Sequence, residues 1–101
     1  MRTLIHSWIA AERSRGMTLG SAIQRLNSVR GTSVTYSRVA EWRRGVYVPT
    51  PVTLSYVLVR TLPWALRQAG ISATKEQYGA LEKLLWTIEN DESGTELIYF
   101  V

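Results

Sequence analysis

Ser37, Arg38, Glu41 and Arg44 follow one another at intervals of one, three and three residues, the spacing that gathers side chains on one side of a helix. Their chemistry is hydrogen bonding rather than bond-making. A carboxylate such as Glu41 accepts from a cytosine amino group, and a serine hydroxyl donates or accepts. An arginine meets a guanine edge or a phosphate with two parallel N–H bonds. Arg44, near the end of this segment, suits a phosphate better than a base. Arg43 beside it and Arg30 upstream add cations that can follow a phosphodiester backbone. Thr18 heads another segment, where the free N–H groups of a helix start favour an anion. The plainer alternative for Arg38, Arg43 and Arg44 is a solvated basic face, and Glu41 is equally a contact or a surface residue.

Bond-making chemistry finds no support in the chain. His6 is its one histidine, on a mainly apolar segment, and reads as structural. Cysteine is absent, so neither a thiol nucleophile nor a thiolate metal site is expected. No glycine-rich phosphate loop, carboxylate pair with a base, or metal-ligand spacing is found. The expectation is a non-enzyme with no catalytic residue, no metal and no cofactor.

At 101 residues the chain suits one compact domain. Its net charge of +4 is unevenly spread. Residues 1–60 hold nine arginines against Glu12 and Glu41, a balance of +7, whereas residues 61–101 balance at −3. Ten of the twelve basic residues are arginine, which favours bidentate phosphate and guanine contacts over diffuse attraction. The start of the chain does not read as a signal peptide, since His6, Ser7, Glu12 and Arg13 interrupt it. The longest apolar run, 52–66, is too short for a membrane span. A soluble, cytoplasmic and nucleoid-associated protein is expected.

The elements that must position these residues follow from periodicity and caps. Thr3 is placed to cap a first helix to about residue 15, with Leu4, Ile5, Trp8, Ile9 and Glu12 on one face and Gly16 ending it. Thr18 caps a second helix over 19–28, and 28–33 reads as a turn. Thr35 caps a third helix, which Gly45 terminates and which buries Val39 and Trp42. Residues 46–49 form an extended connector before Pro49. Thr50-Pro51 starts a fourth helix that is apolar nearly all round, as if buried at the centre, and Pro63 is expected to break or kink it, or to start a short new turn through Leu66 that Gly70 closes. Thr74 and Gln77 form a capping box for a last helix to about residue 90. Residues 95–101 have the composition of a short strand.

The run Thr18-Leu19-x-x-Ala22-Ile23-x-x-Leu26, then Val34-Thr35-Tyr36-Ser37-Arg38-Val39-Ala40-Glu41-Trp42-Arg43-Arg44-Gly45, then Pro49, resembles the phage-repressor/Cro (XRE-type) helix-turn-helix. The resemblance covers roughly residues 3–62. It implies a lambda-repressor-like bundle in which the third helix enters the major groove. It also implies that Tyr36, Ser37 and Glu41 read base edges, with Arg38 beside them. Thr18, Arg30, Thr35, Arg43 and Arg44 are the corresponding phosphate candidates. Two departures stand out. The connection over 28–33 is longer than usual by about six residues, counted against the short turns typical of paired helices. Arg43 stands where the family commonly carries an acid, and Glu12 or another acid is a candidate to pair with it.

The last segment has an apolar face of Tyr78, Leu81, Leu84, Leu85 and Ile88, followed by Ile98 and Phe100 in the expected strand. These residues either complete the core or form a dimer interface. A two-fold regulator needs two recognition helices about 34 Å apart. The expected whole is a mainly α helix-turn-helix region over 1–70, with a C-terminal helix and short strand over 71–101 for dimerisation, folded as one domain. It would bind double-stranded DNA as a homodimeric repressor on a palindromic operator, in a phage, plasmid or toxin–antitoxin setting. The rival expectation is a protein-binding module whose C-terminal apolar face holds a partner.

Overall fold

The computed structural model describes residues 2–90, and of 85–90 the helical backbone alone. It contains α1 (Arg2–Ser14), α2 (Leu19–Arg30), α3 (Tyr36–Arg44), α4 (Pro51–Gln68) and α5 (Lys75–Asn90). The architecture is a mainly α, five-helix bundle with no β-strand among the described residues. The expectation of a bundle with a short terminal strand is corrected accordingly; residues 95–101, with Ile98 and Phe100, lie outside the described residues.

Local chemistry explains most boundaries. Thr18 Oγ1 accepts from the Ser21 N–H at 3.1 Å, and Thr35 Oγ1 accepts from the Arg38 N–H at 3.2 Å. Each satisfies one of the orphan donors of a helix start. Gly45 ends α3 in the left-handed region at φ +76°, where the Val46 N–H returns to the Glu41 carbonyl at 2.9 Å. Thr74 and Gln77 form the reciprocal box: the Thr74 N–H donates to Gln77 Oε1 at 2.8 Å and the Gln77 N–H to Thr74 Oγ1 at 3.1 Å.

Three features differ from expectation. α1 begins at Arg2, ahead of Thr3, and Arg2 Nε donates to the Arg43 carbonyl of α3. α2 runs on to Arg30 before Gly31 stops it at φ +66°, so residues 28–30 are helical and the connection is 31–35. Asn27 makes that longer helix possible. Its Oδ1 accepts from the Val34 N–H and the Thr32 hydroxyl, both at 2.8 Å, and its Nδ2 donates to the Val34 carbonyl at 2.9 Å. α4 passes through Pro63 unbroken. One ladder bond is lost there, and packing against α1, α2 and α5 outweighs a cost of about 3 kcal/mol. α4 starts where expected, with Thr50 as its cap residue and Pro51 at the first helical position; the Thr50 hydroxyl makes no cap bond and meets that of Thr53 at 3.4 Å.

The core joins Ile5, Trp8 and Ile9 of α1 to Ala22, Ile23 and Leu26 of α2, Val39 and Trp42 of α3, and Tyr56 and Val57 of α4. α1 touches α2, α3 and α4, and α5 packs on α4. α4 is buried along Thr53, Ser55, Tyr56, Val57 and Thr61, while Val52, Leu54, Leu58, Val59 and Leu62 are half-buried. It is therefore a partly covered helix rather than one enclosed on all sides.

Glu12 is 1% exposed, on the buried face of α1. Arg60 of α4 donates to it from Nη2 at 2.8 Å and Nε at 3.0 Å, and Arg15 from Nη1 at 2.6 Å. Arg15 Nη2 also donates to the Arg60 carbonyl at 2.6 Å. The carboxylate thus ties α1 to α4, and it is these arginines, not Arg43, that it pairs with. Two hydrogen-bonded guanidinium partners offset the desolvation of a single buried charge.

Candidate nucleic-acid interface

α3 is nine residues long, and its two faces differ sharply. Val39 and Trp42 are anchored in the core, which fixes the helix about its axis. Tyr36, Ser37, Arg38, Arg43 and Arg44 are exposed on the other side, and Ala40 and Glu41 are half-buried. Ser37, Arg38 and Glu41 therefore lie together on the side away from the buried pair, whereas Tyr36, also exposed, is turned toward the start of α2.

Arg38 is held there by two contacts. Its guanidinium carbon lies 4.8 Å from the centre of the Tyr47 ring, and its Nη1 is 3.7 Å from Glu41 Oε2. A guanidinium over an aromatic face is attracted by the ring quadrupole, which restricts the arginine's rotamers. Tyr47 sits between Val46 and Val48 in the connector after α3, all three more than half exposed. Sequence reasoning missed its role; the available signal was an aromatic residue within an extended connector just beyond the helix.

Tyr36 links α3 to the start of α2. A Cβ at Gly20 would collide with the Tyr36 hydroxyl. Glycine at this position lets the tyrosine lie across the first turn of α2, next to Thr18. That first turn carries no acid, so its free N–H groups remain favourable to an anion.

Two further surfaces flank the exposed face. An open groove of about 490 Å³ is lined by residues 32–35, Arg38, Trp42, residues 47–50 and Thr53. Thr35 and Thr50, which precede α3 and α4, both border it, so two positive helix ends meet beside Arg38. At the other end of α3, Arg2, His6, Arg43 and Arg44 line an open hollow with Ala40. Arg2 Nε donates to the Arg43 carbonyl at 3.1 Å, and its aliphatic chain lies 3.1 Å from where a Gly45 Cβ would stand. Arg2 was not among the expected site residues, because only the fold brings residue 2 to residue 43. Arg30 is half-buried in the last turn of α2, at the opposite end of that helix from Thr18.

In the expected dimer face, Leu81 and Leu84 are exposed, and Tyr78 is half-buried against Val59, Leu62 and Pro63 of α4. The side chains of Leu85 and Ile88 lie outside the described residues. Among the described residues no group of three or more His, Cys, Asp or Glu is placed to hold a metal ion. No described helix is long and apolar enough to cross a membrane. Comparison with protein-family models, with curated proteins and with solved structures returns no match.

Proposed function

We propose that the chain is a sequence-specific double-stranded DNA-binding regulator that reads base edges with α3. The main support is the solvent-facing side of α3, where Ser37, Arg38 and Glu41 stand together with Arg38 against the Tyr47 ring, and Tyr36 is exposed beside the start of α2. α3 lies in the major groove, and Arg38 meets a guanine edge. Ser37 and Glu41 take neighbouring positions, Glu41 as an acceptor. Phosphates on one side rest against the start of α2 at Thr18 and the groove between Thr35 and Thr50. On the other side they meet Arg43, Arg44 and Arg2. This allocation of roles agrees with the resemblance to phage-repressor/Cro helix-turn-helix proteins.

The regulator acts as a homodimer on a palindromic site and represses by occupying the operator. Leu81 and Leu84, exposed on α5, favour this oligomeric state, since two copies would cover them. The same leucines favour a second reading, a module that holds a different protein through α5. Selection of binding sites from random duplexes separates the two. An enriched palindrome whose half-sites are about one helical turn apart is the expected result, and no enrichment at low salt overturns the DNA reading. Affinity for the selected site should fall steeply with salt, by about 0.9 in logarithmic slope for each phosphate neutralised.

A further inference from the structure

The hollow at the end of α3 brings together four basic side chains from distant parts of the sequence. Arg2 and His6 come from α1, and Arg43 and Arg44 from α3, around Ala40. Arg2 and His6 are four residues apart, which makes them neighbours on one face of α1. The bond from Arg2 Nε to the Arg43 carbonyl holds that face against the end of α3. All four side chains are exposed. His6 makes no hydrogen bond or ion pair among the described residues, so the fold does not employ its imidazole.

No acid balances this cluster. Glu41, the one acid of α3, lies 3.7 Å from Arg38. Glu12, the one acid of α1, is buried against Arg15 and Arg60. Neither lines the hollow, and no residue of α2 or α4 does. Arg13, the next charged group on this side of α1, stands about two turns further along. The carbonyl end of α3 offers only about half a negative charge to three guanidiniums. The hollow therefore suits an anion. Arginine keeps its charge at any working pH, whereas an imidazole changes charge between about pH 5 and 8. Of the four groups, His6 is the one whose contribution varies.

We propose that His6 contacts a phosphate of duplex DNA beside Arg2, Arg43 and Arg44, and that its protonation tightens binding as pH falls. The inference rests on the DNA-binding reading of α3 and adds a regulation by pH to it. A phosphate in the hollow accepts from the imidazolium, and its negative charge favours that protonated form. Proton and duplex therefore bind together, and each imidazolium formed releases about one more counterion. The contact is to the backbone, so it strengthens binding to all duplexes alike.

Fluorescence anisotropy of the full chain with a rhodamine-labelled duplex carrying the selected site, at about pH 5.5 and about pH 8, tests it. Affinity should be about three- to tenfold tighter at the lower pH, with a salt slope steeper by about 0.9. His6→Gln keeps a polar side chain without the charge and should lose both differences. His6→Lys is charged throughout and should bind at the higher pH as tightly as the parent does at the lower. His6 is exposed, so both variants should fold, which circular dichroism at each pH checks. Equal affinity and slope at the two pH values, in a parent that binds the duplex, overturn this inference and leave the DNA reading standing. So does a pH effect that persists in His6→Gln, which would place the proton on another group. No binding of any duplex at low salt overturns the DNA reading and this inference with it.

Discussion

Arg38 and Arg44 belong to the same short helix, yet their surroundings predict different losses on truncation. Arg38 lies against Tyr47 and Glu41, and under the proposed function it meets a base. Arg38→Ala should cost about 1–3 kcal/mol with the selected operator and relax the preference at one position. Tyr47→Ala should cost less, about 0.5–1 kcal/mol, because it removes the support and leaves the contact. Arg44→Ala should weaken all duplexes alike and lower the salt slope by about 1. Fluorescence anisotropy over a salt series and a set of single-base operator variants checks all three; an unchanged preference in Arg38→Ala would remove it from the base-reading set. Two buried residues allow predictions about stability. Glu12→Gln leaves Arg15 and Arg60 without their shared anion and should cost about 3 kcal/mol in urea unfolding, the low end for a broken buried pair because both arginines reach solvent. Burial chiefly raises the Tyr56 pKa above 10, opposed by Arg60, so the folded state favours the neutral phenol. That contribution is complete below pH 10 and is lost as pH rises through the raised value. Unfolding free energy should therefore fall more steeply above pH 10 in the parent chain than in Tyr56→Phe.

Gly20 lies within α2, where alanine would ordinarily favour the helix by about 1 kcal/mol. A methyl group there would strike the Tyr36 hydroxyl, so Gly20→Ala should preserve or raise thermal stability while lowering DNA affinity. Tyr36→Phe removes the colliding atom, and affinity of the double variant should then match Tyr36→Phe alone. Equal losses from Gly20→Ala in both backgrounds would show that the contact is not what matters. These elements also show which parts of the fold are legible in the sequence. α3 was readable to the residue because Thr35, Gly45 and the Val39–Trp42 pair are local signals. The end of α2 was misplaced because Ser28, Val29 and Arg30 carry no helical pattern of their own. They are held by Gly31 and by Asn27, whose three bonds to the following turn depend on a geometry that spacing does not reveal. Pro63 does not break α4 for the opposite reason, a strong local signal outweighed by packing on several sides.

Across the whole molecule, α1 unites the bundle through contacts with α2, α3 and α4. Arg2 at its start reaches the end of α3, and Glu12 near its end binds Arg60, pairings 41 and 48 residues apart in the chain. Such separations explain why the candidate site was legible in its α3 residues and not in Arg2, and why the Glu12–Arg60 pairing was not foreseen. The C-terminal leucines lead to an oligomeric prediction. Leu84→Glu should convert a dimer into a monomer in sedimentation analysis and weaken binding to the palindrome far more than to a half-site. An unchanged dimer would exclude this face of α5 from the interface.

The Glu12–Arg60 bond also bears on the order in which the protein is made. Residue 12 leaves the ribosome 48 residues before residue 60, a delay of roughly 2–10 s at 5–20 residues per second. Through that interval the face of α1 carrying Ile5, Trp8 and Ile9 lacks its α4 partners, and its acid has Arg15 but not Arg60 beside it. Glu12 is then a solvated carboxylate among apolar side chains, which lowers the tendency of this segment to associate with other nascent chains. The residue that locks the finished bundle is, before α4 emerges, the one that keeps its first helix apart from others.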